Sequence, residues 1–283
     1  MAHDLANQTF IVTGANTGIG KVTAKELARR GAHVILACRS KDKTDAVIEE
    51  IKRDTGNAGV EYIHLDLGDL ASARACAEAI AARGIPIHGL VNNAGLAGSK
   101  GLTRNGFELI WGTNHLGPYL FTRLLLDRLK QAGHARIVNV ASASHYNATG
   151  IDWDALKQPT RSSTGMREYS VSKLSNVLFA KELARRLDGT GVTTYALHPG
   201  VVATDVWRRV PGPLRWVIKQ FMLSPEQGAE ASLRCATDPA LAGQTGRYYD
   251  VGGKEKEPSQ LASDAELARA LWTRSAEWTG LPS

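Results

Sequence analysis

The chain has 283 residues, 43% hydrophobic with 28 glycines, which is enough apolar content for a packed core and too much for a disordered chain. The net charge of +6 and a pI near 9.3 raise nucleic acid or an anionic membrane as partners. However, the 34 basic residues are interleaved with 28 acidic ones and form no run, so the excess reads as solvated surface plus a pocket for a phosphorylated ligand, with no nucleic acid. Cys38, Cys76 and Cys235 are odd in number and lack metal-ligand spacing, so they read as small buried residues of a reducing compartment, and no metal is expected. Residues 1–8 are polar and unlike a signal peptide. The best apolar run, residues 116–129, contains Arg123, Asp127 and Arg128 and is too short for a bilayer. A cytoplasmic, soluble protein is expected.

Thr9–Thr13 reads as a strand, followed by Gly14-Ala15-Asn16-Thr17-Gly18-Ile19-Gly20 and a helix to Arg30. Strand, glycine-rich turn and helix form a phosphate-binding context, because the glycines let backbone approach and the helix N-terminus supplies N–H groups. The spacing is Gly-x-x-x-Gly-x-Gly rather than the general Gly-x-Gly-x-x-Gly. The second strand, His33–Cys38, runs into Arg39-Ser40-Lys41-Asp42-Lys43 with no acid at its end. An acid there takes a ribose 2′-hydroxyl, whereas an arginine accommodates a 2′-phosphate, so NADP(H) is expected on Arg39, with Lys43 as a second contact.

A third strand over residues 60–65 ends in Asp66-Leu67, and a fourth over residues 88–91 ends in Asn92-Asn93-Ala94-Gly95, with a helix over residues 69–83 between them. Small and amide residues at strand ends line up on the carboxyl edge, where a doubly wound sheet keeps its ligand. The next helix should span residues 106–130, with Gly117-Pro118 bending it just after Asn114 and aiming that side chain into the site. Strand Arg136–Val140 leads into Ala141-Ser142-Ala143-Ser144-His145. The Ser142 hydroxyl is there placed to hydrogen-bond a reacting oxygen. A Ser-His hydrolase is rejected, since neighbouring residues on extended chain point apart and Gly-x-Ser-x-Gly is missing.

After an irregular segment, residues 147–165, Tyr169 and Lys173 open a helix with Leu174, Val177, Leu178 and Leu183 at helical spacing. Four residues apart, they share one helix face. A cation beside a phenol lowers its pKa from about 10, and a drop to about 7 takes roughly 4 kcal/mol. Such a pair suits proton transfer to or from a carbonyl or alcohol oxygen. Tyr-x-x-x-Lys is common by itself, so it gains weight only beside the other parts of the site. The sixth strand, residues 192–197, ends in His198-Pro199-Gly200-Val201-Val202-Ala203-Thr204. Bulky apolar residues and prolines around residues 205–223, among them Trp207, Trp216 and Phe221, suggest a mobile lid over an apolar pocket, with a packed helix as the plainer alternative. Contact with an anionic membrane there would be peripheral at most. Ser144, His145, Trp207, Trp216 and Phe221 are the candidates for substrate contact. Ser224-Pro225-Glu226-Gln227 is a helix start with a capping box. A last strand over residues 246–251 and a helix over residues 264–278 complete one domain with no linker or repeat.

Thr13-Gly14, Gly18-x-Gly20, Asn92-Asn93-Ala94-Gly95, Asn114, Ser142, Tyr169-x-x-x-Lys173 and Pro199-Gly200 together resemble the short-chain dehydrogenase/reductase family, in family order over residues 9–204. Ala37-Cys38-Arg39, Ser172-Lys173-Leu174, His198-Pro199-Gly200-Val201-Val202, Gly228-Ala229 and Leu271-Trp272 are similar to its retinol dehydrogenase-like branch. Membrane-bound members carry an N-terminal anchor that is not expected here, and Ala141 stands where a serine is common. The resemblance implies a single-domain α/β Rossmann fold, doubly wound, with a mostly parallel seven-stranded sheet and helices on both faces. It also implies that Tyr169 moves the proton, that Lys173 lowers its pKa and holds the nicotinamide ribose, that Ser142 hydrogen-bonds the substrate oxygen, and that Asn114 steadies Lys173 through a water. The cofactor-binding residues would be Gly14, Asn16, Thr17, Gly18, Ile19, Gly20, Arg39, Lys43, Asp66, Leu67, Asn93, Ala94, Gly95, Tyr169, Lys173, Pro199, Gly200, Val202 and Thr204. The expected activity is NADP-dependent interconversion of an apolar aldehyde or ketone and its alcohol, and a homodimer is the assembly considered. A sugar-nucleotide epimerase or dehydratase and a non-catalytic NADP-binding sensor are the competing readings.

Overall fold

The computed structural model describes residues 3–201 and 223–283. Among the described residues there are seven short strands, β1 (Thr9–Thr13), β2 (His33–Cys38), β3 (Val60–His64), β4 (Gly89–Asn92), β5 (Arg136–Val140), β6 (Thr193–Leu197) and β7 (Arg247–Tyr249), all buried along nearly their whole length except β3 and the first residue of β7. They form one sheet in the order β3-β2-β1-β4-β5-β6-β7. Every neighbouring pair is parallel, so the mostly parallel sheet expected from sequence is entirely parallel. Parallel strands need crossovers and are covered on both faces, which is why they read as near-continuous apolar runs.

Alternation along β1 splits the core in two. Phe10 and Val12 face a cluster with Leu27 of α1 (Gly18–Arg29), Ile51 of α2 (Lys41–Thr55) and Cys235 of α7 (Pro225–Thr237). Ile11 faces the opposite cluster with Ile80 of α3 (Leu70–Ala81), Leu125 of α5 (Gly117–Gln131) and Trp272 of α8 (Ala265–Thr279). A third cluster gathers Leu174, Val177 and Leu178 of α6 (Met166–Arg186) with Trp111, Ala196 and Tyr248. The strand order reverses around β1, which pairs with β2 on one side and β4 on the other. That reversal opens a crevice at the carboxyl ends of these strands.

The helix carrying Asn114 differs from expectation. A short helix, α4 (Leu109–Trp111), passes into a π-helical turn, Gly112–Leu116, which holds Asn114, and then into α5. Pro118 sits in the first turn of α5, where a missing N–H costs little, so the proline is not what bends the chain. The close approach lies at Gly117, where a Cβ would fall 2.3 Å from the Leu67 carbonyl oxygen. The expected capping box is present: Ser224 Oγ accepts from Gln227 N, and Gln227 Oε1 accepts from Ser224 N. No helix among the described residues is long and apolar enough to cross a membrane.

Candidate active site

The loop after β1 touches the turn after β4 because side chains are missing. Gly14 has φ +65°, and a Cβ there would lie 2.9 Å from Ala94 Cα. At Gly20 it would lie 2.4 Å from Asn93 Nδ2 and 2.7 Å from the Gly14 carbonyl. Thr13 ties the two segments: its Oγ1 accepts from Asn93 N at 3.0 Å and Ala94 N at 2.9 Å, while Asn93 Nδ2 donates to the Thr13 carbonyl at 2.8 Å. Helix α1 begins at Gly18 and Ile19, with Asn16 and Thr17 leading in and no acidic residue in its first turn. That end of α1 therefore keeps the positive potential of a helix N-terminus. Asp66 and Leu67 follow β3 on the same edge, with Asp66 Oδ1 accepting from Gly68 N at 2.9 Å and Leu67 buried. Arg39 is exposed just past β2 and makes no ion pair among the described residues, as is Lys43 in the first turn of α2. Lys41 is instead paired with Asp45 at 2.5 Å.

The second group forms where α6 crosses the ends of β5 and β6. Gly165, at φ +72°, precedes the helix and packs against Ile110, so α6 starts beneath α4. One turn apart on α6, Tyr169 and Lys173 face the same way: Lys173 Nζ lies 5.4 Å from the Tyr169 ring centroid and donates to the Val140 carbonyl at 2.8 Å. Lys173 is only 4% exposed, and burial holds its ammonium down to about 8. A Cβ on Gly95 would sit 3.3 Å from Asn114 Oδ1 and 3.6 Å from Lys173 Nζ, so these three residues converge.

One expected detail is corrected by the structure. Burial is the largest influence on Tyr169 and pushes its phenol above the ordinary 10, while a hydrogen bond with Ser142 opposes the rise; the lysine does not bring it down in the free chain. The Asn114 side chain has direct partners: its Oδ1 accepts from Leu96 N at 2.8 Å, and its Nδ2 donates to the Leu96 carbonyl and to Ser172 Oγ, both at 3.0 Å. Asn114 thus fixes the chain just after Gly95.

Ser142 starts a 3-10 turn, Ala143–Asn147, and its Oγ accepts from Ser144 N at 3.1 Å and donates to Ser144 Oγ at 3.3 Å. His145 is a correction among the expected substrate contacts. It is fully buried, with Nδ1 on the Ser142 carbonyl at 2.7 Å and Nε2 accepting from Ser259 N at 3.1 Å, which leaves no ring nitrogen for a substrate. Pro199 is buried beyond β6, and Gly200, at φ +90°, lies against Leu223. Val202, Thr204, Trp207, Trp216 and Phe221, and the expected lid except Leu223, lie outside the described residues.

Sequence reasoning passed over three further residues. Thr13 was visible only as part of a motif, although a hydroxyl ending a buried strand is a signal for local pairing. Ser172, between Tyr169 and Lys173, donates to the Tyr169 carbonyl at 2.7 Å and receives Asn114. Glu108 is 2% exposed and accepts from Trp111 N and Thr160 Oγ1; nothing in its sequence neighbourhood predicts burial of a carboxylate.

The model of the short chain dehydrogenase family matches residues 8–153. Human retinol dehydrogenase 13 is 44% identical over 98% of this chain and 86% of its own length. The chain belongs to the short-chain dehydrogenase/reductase family. Bovine dehydrogenase/reductase SDR family member 13 is 43% identical over 98% of this chain and 74% of its length. Among solved structures, an uncharacterized protein from Mycobacterium paratuberculosis superposes with a TM-score of 0.78 at 33% identity, covering 99% of this chain and 98% of its own. A protein from Beutenbergia cavernae, named for a resemblance to NAD(P)-dependent gluconate 5-dehydrogenase and holding NADP at low occupancy, gives 0.73 at 27%, covering 89% and 98%. A Brucella melitensis 3-ketoacyl-(acyl-carrier-protein) reductase complexed with NADH gives 0.69 at 26%, covering 88% and 99%.

As a short-chain dehydrogenase/reductase the chain is an oxidoreductase, with an alcohol or carbonyl compound as substrate. Its residues fit a nicotinamide dinucleotide. Residues 14–20 form a glycine turn packed closely on Asn93 and Ala94 that leads into the N-terminus of α1, with no acidic residue in its first turn, and the buried Lys173 beside Gly95 supplies a cation on the same edge.

Proposed function

We propose that this chain is an NADP-dependent oxidoreductase that interconverts an apolar aldehyde or ketone and its alcohol, with Tyr169 as the acid/base. One observation carries the reading: Ser142, Tyr169 and buried Lys173 converge beside Gly95 and Asn114, at the crevice edge that holds the glycine loop. When bound, the nicotinamide cofactor supplies or accepts the hydride. Because burial keeps the phenol protonated, Tyr169 is set up to donate at neutral pH, which is the reductive sense. Ser142 Oγ hydrogen-bonds the substrate oxygen and the Tyr169 phenol, favouring the oxygen as negative charge grows on it. As the phenol gives up its proton, Lys173 places an ammonium near the phenolate, and attraction between opposite charges is strong in such a buried place. Asn114 and Ser172 hold the Gly95-Leu96 backbone and the Tyr169 carbonyl in register.

Arg39 and Lys43, exposed and unpaired among the described residues, support a 2′-phosphate and hence NADP over NAD. The apolar substrate is supported by the retinol dehydrogenase relative and by Met166 and Val201, 39% and 51% exposed, just before Tyr169 and just after Gly200. We place the chain in the cytoplasm, as one domain. The test is NADPH against NADH consumption over a panel of apolar aldehydes and ketones, all-trans-retinal included. Turnover with NADPH at a rate well above NADH is expected. Tight NADPH binding with no turnover would favour a sensor instead, and a clear NADH preference would overturn the role of Arg39.

A further inference from the structure

The turn that carries Ser142 is braced from a distant part of the chain. The Ser259 N–H points at His145 Nε2 at 3.1 Å, so that nitrogen carries a lone pair. The proton therefore resides on Nδ1, which donates to the Ser142 carbonyl at 2.7 Å. The same carbonyl accepts His145 N at 3.1 Å, so backbone and ring close the turn together. The ring is fully buried in an aromatic box, 4.0 Å from the Tyr146 ring and 4.8 Å from the Tyr248 ring. The segment after β7 grips the turn twice more, through the Tyr146 hydroxyl on the Glu257 carbonyl at 2.5 Å and Lys256 Nζ at 5.4 Å from the Tyr146 ring. Charged and titratable groups facing the ring are Lys256, Asp250 and His198.

We infer that His145, as the neutral Nδ1–H tautomer, is a positioning residue that sets the Ser142 hydroxyl against Tyr169 by tying the Ser142 carbonyl to Ser259. The inference rests on the proposed role of Ser142. It assigns the post-β7 segment, which carries no reacting group, a share in the geometry of the site. Protonation would set two N–H groups against each other at Ser259, and burial works against that protonation.

The test needs no substrate. In protein labelled with ¹³C at tyrosine Cζ, the Tyr169 phenol is titrated in wild type, Ser142→Ala, His145→Phe and the double variant. Losing the Ser142 hydrogen bond moves the Tyr169 titration to higher pH. His145→Phe is expected to move it the same way, and the double variant no further than Ser142→Ala alone, because two residues acting through one contact are not additive. His145→Asn keeps a donor where Nδ1 stood but cannot reach Ser259, so it is expected to shift part of the way, less than His145→Phe, which provides a readout if the phenylalanine variant fails to fold. With retinal and NADPH, His145→Phe should lower turnover by about 10–100-fold while leaving NADPH affinity unchanged, as a small displacement of a reacting group does. A wild-type titration in His145→Phe or in His145→Asn, an asparagine variant shifted as far as Ser142→Ala, or additive shifts in the double variant would overturn the inference. An unshifted Ser142→Ala would remove the role of Ser142 itself, and this inference with it.

Discussion

At the ends of β1 and β4, Gly14 and Gly20 let two backbones meet where a single methyl group would not fit. At the ends of β5 and β6, by contrast, full-sized polar side chains are packed away from water: Lys173 at 4% exposure, Ser142 at 9% and Asn114 at 1%. The first region works by absence and is stable as built. The second keeps an ammonium and a phenol in a place that disfavours their charged forms. The contrast separates binding from chemistry, since what seats a dinucleotide is shape, whereas what moves a proton is a set of groups held at a cost.

Lys173→Met gives the largest expected effect and splits the two regions most sharply. Turnover should fall by roughly 10²-fold or more, because the charge that stabilises the phenolate is gone. Stability should move the other way. The folded chain holds Lys173 down to about 8 against an ordinary 10.5, so it prefers the neutral amine. Stability is therefore full above about pH 10.5, falls as pH drops towards 8 and stays low below it. Removing the ammonium should raise stability at pH 7 by up to about 3 kcal/mol, read by denaturant unfolding of the cofactor-free protein.

Gly20→Ala is the opposite case. Overpacking against Asn93 and Gly14 should cost about 1–3 kcal/mol and weaken NADPH binding, whereas any residual turnover per bound cofactor stays normal. Arg39→Ala should weaken NADPH by about 10–100-fold, as for losing charge-assisted hydrogen bonds, and leave NADH unchanged in a binding titration.

The smallest effect is a slope. His115 is buried with its ring nitrogen on Ser275 Oγ at 3.2 Å and held down to about 3. Its neutral form is the folded one, so stability is full above about pH 6.5 and falls by about 1.4 kcal/mol per pH unit as acid protonates the unfolded chain, levelling near 3. His115→Asn should flatten that slope in unfolding curves taken between pH 7.5 and 5.

These regions also differ in how openly the sequence declares them. Gly14, Gly18 and Gly20 were readable because few other residues tolerate such backbone and such contacts, and the buried parallel strands were readable as continuous apolar runs. The Tyr169/Lys173 pair was readable as spacing on one helix. What that spacing did not reveal was the sign of the Tyr169 shift, which depends on how far residues distant in the chain withdraw the half-buried side chain from water. The π turn at Asn114 is not legible as such in the sequence, and the close fit of Gly117 on the Leu67 carbonyl beside it is a contact between segments that local spacing does not show. His145 was misread for the same reason: Ser259 lies 114 residues downstream.

The central claim, that the phenol of Tyr169 performs the proton transfer while the glycine loop holds the cofactor, is met most directly by one assay. NADPH-dependent reduction of all-trans-retinal and the other panel carbonyls is measured for wild type and Tyr169→Phe, together with NADPH affinity. Turnover lowered by roughly 10²–10⁴-fold, with affinity essentially unchanged, is the expected result. A Tyr169→Phe protein that turns over at the wild-type rate would contradict it.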